Sequence, residues 1–301
     1  MNVTIGVCTF NRAASLRRTL DSIRALRGLD PKDTEVVVVD NNSTDETPKL
    51  LSEYRGLPLR SVIEVRQGIG AARNRLLGEA HGKLLLQTDD DAVLDPLWLE
   101  AYKAAAHAHP DAAFFAGPVQ PRFEAPWPHW IAAWKQVPEC FAAIDRAAAG
   151  PIDDPKIVYG LNSGVRVAAV QGHRYEDELG HIGTRVVLGE DTTFAKELLD
   201  AGLNGRWVPA ARVEHCFPAA RITLTHVARF YRALGEFATA GRSKKRFRRV
   251  FPCVASSVFN YAAYVAARIS RRPAEQWLRH YRRAHEKWGR GRGLVGARRE
   301  A

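Results

Sequence analysis

Residues 35–40 read Glu-Val-Val-Val-Val-Asp, a β-branched run without polar alternation that ends in a carboxylate. A run of this kind suits a strand covered on both faces, the situation of a parallel strand inside an α/β sheet. Val3–Thr9 and residues 83–87 have the same apolar character. Between the first two runs, Leu16, Leu20 and Ile23 recur at helical spacing, and Leu26 extends the stripe. Pro48, after Ser43, Thr44 and Asp45, predicts the first turn of a second helix. A short strand over 61–65 and a third helix over 71–80 continue the rhythm. Strand–helix alternation of this kind predicts a largely parallel, doubly wound α/β sheet flanked by helices. Beyond Pro110 the pattern loosens: a strand over 113–116, a helix over 192–200 ended by Gly202, and a strand over 206–213 are expected.

In open α/β sheets ligands bind beyond the carboxyl ends of the strands, so the residues there carry the functional information. Asp89, Asp90 and Asp91 follow the strand at 83–87 directly, and Asp40 ends the valine run. Three adjacent carboxylates repel one another. A hard divalent cation, Mg²⁺ or Mn²⁺ shared with substrate phosphates, relieves that repulsion, and a solvated acidic turn is the competing reading. Asp40 can accept a hydrogen bond from a nucleobase imide or a ribose hydroxyl, or it can cap the turn with Asn41, Asn42 and Ser43. Glu190 and Asp191 precede a helix, where carboxylates also serve as caps. His215, at the end of the 206–213 region, becomes a metal-ligand candidate if it faces the same crevice.

The formal net charge of +11 is not evenly spread. Residues 241–301 hold 17 Lys+Arg against 3 Asp+Glu, so the preceding 240 residues are close to neutral and slightly acidic. Lys244, Lys245, Arg246, Arg248 and Arg249 open this segment; residues 250–267 are then uncharged, and Arg268, Arg271 and Arg272 close it. Pro252, two serines and Asn260 interrupt a stretch barely long enough to span a bilayer. Interfacial, core-packed and spanning readings stay open. A basic tail of this kind is suited to an anionic membrane surface. Cys8, Cys140, Cys216 and Cys253 form no CxxC pair and read as reduced thiols. The first residues lack a basic segment ahead of the apolar stretch. The expected location is cytoplasmic, at the inner face of the cytoplasmic membrane if the tail binds there.

These elements in this order resemble the family 2 glycosyltransferases, inverting enzymes of GT-A (Rossmann-like) fold that use nucleotide sugars. The resemblance rests on TFNR (residues 9–12), VVDNNSTDET, GIGAARNRL, LLQTDDDAVLDPLWL, LNSGVRVAAV, YEDELG, GEDTTFAKELLDAG and VEHCFPAARIT, and covers roughly residues 2–240. It implies a nucleotide-sugar-binding half over 1–110, an acceptor-binding half over 111–240, and a basic, helical extension over 241–301. Thr9, Asn11, Asp40, Arg73, Asp89 and Asp90 would contact the nucleotide sugar, a UDP-sugar by family habit. Asp91 and His215, with Arg221 nearby, would hold the metal and diphosphate. Asp191 would be the general base, and Asn162, Ser163 and Glu190 would face the acceptor, a saccharide or a lipid-linked one. Asn41 and Asn42 stand where a second acidic residue is common in the family.

Trp127, Trp130 and Trp134 fall at helical spacing and suit sugar stacking, a membrane interface or core packing. The first βα turn, TFNRAAS, lacks the glycine fingerprint of a dinucleotide site. The basic tail carries no recognisable nucleic-acid motif, so no nucleic-acid partner is expected.

Overall fold

The computed structural model describes residues 2–182, 185–186, 188–239 and 247–296; Lys244, Lys245 and Arg246 lie outside them. The chain forms two compact units. The first comprises Met1–Arg122, Ala142–Thr184 and Gly189–Cys216; the second comprises Phe123–Phe141, Arg185–Leu188 and Phe217–Ala301. The boundary expected near residue 240 does not coincide with this division, because segments from the middle of the chain belong to the second unit.

In the first unit the elements run β1 (Val3–Thr9), α1 (Ala13–Arg24), β2 (Thr34–Asp40), α2 (Thr47–Glu53), β3 (Leu59–Ile63), α3 (Ile69–Glu79), β4 (Leu84–Asp89), β5 (Ala92–Leu94) and α4 (Trp98–Ala108). They continue with β6 (Ala112–Ala116), β7 (Val119–Phe123), β8 (Gly150–Pro151), β9 (Asn162–Arg166) and β10 (His181–Ile182), then, after β11 (Arg185–Val186) of the second unit, with α5 (Glu190–Asp200), β12 (Asn204–Trp207) and β13 (Val213–Phe217). The main sheet has the order β3-β2-β1-β4-β9-β6-β12-β8. β3, β2, β1 and β4 are mutually parallel, whereas β9 runs antiparallel between β4 and β6. A separate three-stranded sheet has the order β5-β13-β7.

The valine run explains how the sheet is held. Successive side chains in a strand point to opposite faces. Val36 and Val38 therefore join one apolar core with Ile5, Leu16, Leu20 and Trp98. Val37 and Val39 join the other core with Ala72, Leu76, Phe194 and Leu198. All four valines are fully buried, a stabilisation of roughly 1.5–3 kcal/mol each against exposure. The register places Thr9 beside Asp40 and Cys8 beside Asp89, so the ends of β1, β2 and β4 share one edge. The single strand expected over 206–213 is instead two: β12 stops at Trp207, and Pro209, which has no N–H to donate, lies in the turn before β13.

The second unit contains 3₁₀ turns at His129–Gln136 and Pro138–Phe141, and the helices α6 (Leu224–Phe237), α7 (Phe247–Ile269) and α8 (Ala274–Gly296). Its core gathers Ile131, Val137, Phe141, Phe217, Tyr231 and Leu278. Trp130 and Trp134 pack against that core, while Trp127 is exposed.

Candidate active site

The loops after β1 and β2 are stitched together by Asn11. Its Oδ1 accepts from the Thr44 N–H at 2.7 Å, and its own N–H donates to Ser43 Oγ at 2.9 Å. Asn11 sits at φ 52°, in the left-handed region that asparagine tolerates better than most residues. Asp40 is buried at the end of β2, and its Oδ1 accepts from the Ser43 N–H at 2.9 Å. Asn41 donates from Nδ2 to the Glu64 and Arg66 carbonyls, at 2.8 and 2.6 Å, and accepts from the Gly68 N–H at 2.8 Å. A carboxylate could not make the two donations. The asparagine therefore holds the entrance to α3, which gives a physical reason for the departure from an acidic residue.

At the end of β4 the three aspartates diverge. Thr9 Oγ1 donates to Asp90 Oδ2 at 2.7 Å. Arg12 bridges the next pair, donating to Asp90 Oδ1 at 3.0 Å and Asp91 Oδ2 at 2.8 Å. Burial raises the Asp90 carboxyl to about 7; Asp91 and Asp89 add to the rise, and Arg12 and the Thr9 hydroxyl oppose it. Arg12 was not singled out in the sequence as a site residue. The signal was present, since three adjacent carboxylates require a counter-charge, but nothing in the sequence showed which cation would fold back onto them.

His215 reaches Asp91 through strand pairing. β13 runs antiparallel to β5 with His215 opposite Ala92, the residue after Asp91, and Cys216 N–H donates to the Asp91 carbonyl at 2.8 Å. His215 Nε2 lies 3.3 Å from Asp91 Oδ1, and both side chains are buried. A carboxylate oxygen beside an imidazole nitrogen is a donor pair that a divalent cation can take. Among the described residues no three His, Cys, Asp or Glu side chains converge to enclose an ion. The residues present fit a cation held through Asp91 and His215 that takes its remaining ligands from water and a diphosphate, the usual habit of Mg²⁺.

The second half of the site is organised by Arg73, whose side chain is 4% exposed. Its guanidinium pairs with Asp191, with Asp89 at 3.2 Å and with Glu190 at 3.2 Å. It also lies over the Tyr175 ring, 5.6 Å from the centroid. Asp191 sits in the first turn of α5, and its other carboxylate oxygen accepts from the Gly160 N–H at 2.8 Å. Burial raises the Asp191 carboxyl to about 7, opposed by Arg73 and the Gly160 N–H and reinforced by Glu190 and Asp89. Arg73 is held more firmly charged than usual: burial disfavours its charge, and the surrounding carboxylates outweigh that. A side chain at Gly160 would collide with Arg73 and Asp191, so this close approach requires glycine.

Two expected acceptor residues are placed otherwise. Asn162 is fully buried: its Oδ1 accepts from Trp98 Nε1 and Tyr102 OH, both at 2.8 Å, and its Nδ2 donates to the Pro118 and Ala211 carbonyls. Every polar atom of that amide is used in holding α4, β9 and the loops around them. Ser163 is also buried and lines a void of about 10 Å³ beside Asp191, too small for a sugar. Glu190 lies beside Arg73, at the site itself. Arg221 belongs to the second unit, with its guanidinium 4.7 Å over the Phe217 ring.

This sheet architecture is shared with solved transferases. TarS of S. aureus (residues 1–349, in complex with UDP-GlcNAc) is 18% identical and superposes with a TM-score of 0.57, covering 99% of this chain and 92% of that one. The mannosyltransferase PcManGT from Pyrobaculum calidifontis, in complex with GDP-Man and Mn²⁺, is 20% identical with a TM-score of 0.55, covering 98% and 74%. The chain thus has the GT-A fold. Residues 4–146 match the model of glycosyl transferase family 2. The succinoglycan biosynthesis protein ExoO of Rhizobium meliloti is 33% identical over 96 residues, 32% of this chain and 27% of that protein. The chain spans about a quarter of the length of the first curated relatives it matches. Residues 4–146 are thus similar to a family 2 glycosyltransferase domain.

Proposed function

We propose that the protein transfers a sugar from a nucleoside diphosphate sugar, a UDP-sugar in the first instance, to an acceptor hydroxyl with inversion at the anomeric carbon. The observation that carries this reading is the continuity of the site. Thr9, Asp40 and Asp89 end neighbouring parallel strands, Asp91 meets His215, and Arg73 joins Asp89 to Asp191. The donor complexes of TarS and PcManGT support the choice of substrate class, with the two differing in base and sugar.

Each residue then has a role. Asp40 accepts a hydrogen bond from the base, with Thr9 and Asn11 bordering that pocket and Asp89 and Asp90 towards the ribose and diphosphate. Asp91 and His215 hold the divalent cation, which when bound neutralises charge developing on the departing diphosphate. Asp191 takes the proton of the acceptor hydroxyl as its oxygen bonds to the anomeric carbon and the bond to the diphosphate oxygen breaks. Base assistance of this kind contributes about 10²–10⁴-fold in rate. With one base and no covalent sugar intermediate, the displacement is single and the configuration inverts. Arg73 is a positioning residue that fixes the Asp191 carboxylate beside Glu190, which borders the acceptor.

The acceptor is a saccharide or a lipid-linked saccharide of the kind used in exported polysaccharide assembly; the relationship to a succinoglycan biosynthesis protein supports that choice. A thermal-shift screen of nucleotide sugars with Mn²⁺ or Mg²⁺ tests the donor, because a ligand that binds only the folded state raises its apparent stability. Stabilisation by a UDP-sugar with Mn²⁺, followed by UDP release on adding acceptor, is the expected result. No response to any nucleotide sugar overturns the reading.

A further inference from the structure

Helix α7 buries two uncharged polar side chains and exposes large apolar ones. Buried Ser257 donates to the Ala284 carbonyl at 2.9 Å, and buried Asn260 donates to the Ser256 carbonyl at 2.8 Å, with its Oδ1 3.3 Å from His280 Nδ1. Another flank is apolar and exposed. Phe251, Phe259 and Ile269 are each at least 70% exposed, and Val258 and Val265 lie on the same side at helical spacing. Val250–Ile269 has a mean hydropathy of 1.4 and only 17% of it is buried, so by length and composition it could cross a membrane. The Ser257 and Asn260 hydrogen bonds instead tie one flank of the helix to α8, leaving the other flank free to lie in an interface.

Charge says what covers that flank. Residues 247–296 carry 11 Lys+Arg against 2 Asp+Glu, and Arg268, Arg271 and Arg272 cluster exposed at the carboxyl end of α7. Beside the helix opens a cavity of about 530 Å³, lined by Arg232, Ser257, Tyr261, Tyr281, His285 and Trp288 among others. Arg232 has no carboxylate partner among the described residues, and its Nε donates to His285 Nδ1 at 3.2 Å. Burial and the Arg232 charge push the His285 imidazole down to about 4, so the ring is neutral and carries its proton on Nε2. That buried Nε2 has no hydrogen-bond partner among the described residues. The Arg232 guanidinium in an aromatic-walled cavity is complementary to a phosphate.

We infer that the second unit docks on an anionic phospholipid bilayer, with the outward flank of α7 entering the headgroup–acyl boundary and the Arg232–His285 cavity seating a lipid phosphate. The contact is made by the apolar face of α7 as well as by charge, and needs neither a spanning helix nor the arginine- and lysine-rich run ahead of it.

Co-sedimentation of the full chain with vesicles of phosphatidylglycerol and phosphatidylcholine, compared with phosphatidylcholine alone, tests this. Binding to the anionic vesicles only, weakened by added salt, is expected. Phe259→Glu and Ile269→Glu change exposed side chains, so each variant keeps its melting temperature while losing about tenfold or more in partitioning. Arg232→Gln loses about fivefold. Absence of binding to anionic vesicles, or partitioning indifferent to all three substitutions, overturns the inference. So does a wild-type dimer that Phe259→Glu converts to monomer without any lipid binding, which would assign the face to a second copy. Protection of Arg232 by inorganic phosphate without vesicle binding would assign the cavity to a free anion and equally overturn it.

Discussion

Arg73 and Asp191, 118 residues apart in the chain, form an ion pair that joins the start of α5 to α3. The Gly160 N–H holds the remaining oxygen of the same carboxylate. The proposed base is therefore fixed from two sides before any substrate arrives.

Replacing that base separates binding from chemistry. Asp191→Asn keeps the size of the side chain and removes its basicity. Transfer should fall by about 10²–10⁴-fold, while donor affinity, measured by calorimetry, stays close to wild type. Transfer at the wild-type rate would show that another group takes the proton.

The pH dependence follows from burial. The Asp191 carboxyl is raised to about 7, and only its deprotonated form accepts the acceptor proton. kcat/KM should thus rise with pH up to about 7 and level off above, an acid limb well above the ordinary carboxylate range. Stability runs the other way for this group. Its folded-state pKa exceeds the unfolded value, so its contribution is fully present below the unfolded pKa and is lost as pH rises through the folded one.

Arg73 is tested by a stability and a kinetic readout together. Arg73→Met leaves Asp89, Glu190 and Asp191 without their shared cation, and breaking a buried ion pair typically costs about 3–5 kcal/mol in urea unfolding. Because Arg73 opposes the rise at Asp191, any folded remainder should show its acid limb moved to still higher pH. An unmoved limb would mean that Arg73 is only structural.

Gly160→Ala should disturb the same pair by sterics alone. The added methyl collides with Arg73 and Asp191, so activity should fall while donor-induced stabilisation in a thermal melt persists.

Asn41→Asp should destabilise the fold by about 1–3 kcal/mol, because an acid cannot donate to the Glu64 and Arg66 carbonyls. Chemical denaturation measures it. Unchanged stability would show that those bonds are not needed.

The parts of this molecule legible in its sequence are those encoded locally. Four consecutive valines admit a strand buried on both faces and little else, and such strands place Thr9, Asp40 and Asp89 at one edge. What the sequence hid depends on distant partners. The role of Asn162 is set by Trp98, Tyr102, Pro118 and Ala211, none of them a neighbour in the chain. His215 reaches Asp91 only because β13 pairs with the three-residue β5, too short to show a period. Arg12 can be assigned to Asp90 and Asp91 only once the turn after β1 is known. Composition could equally not tell that α7 turns Ser257 and Asn260 inward and Phe251 and Phe259 out.

The most direct test of the central claim, that Asp91 and His215 hold a cation that grips a diphosphate, is calorimetric titration of UDP into the protein with Mn²⁺ and again with a chelator. The expected result is binding with Mn²⁺ that is lost with the chelator and in Asp91→Asn, while Asp191→Asn binds as wild type. Equal UDP affinity with and without Mn²⁺, or binding untouched by Asp91→Asn, would contradict it.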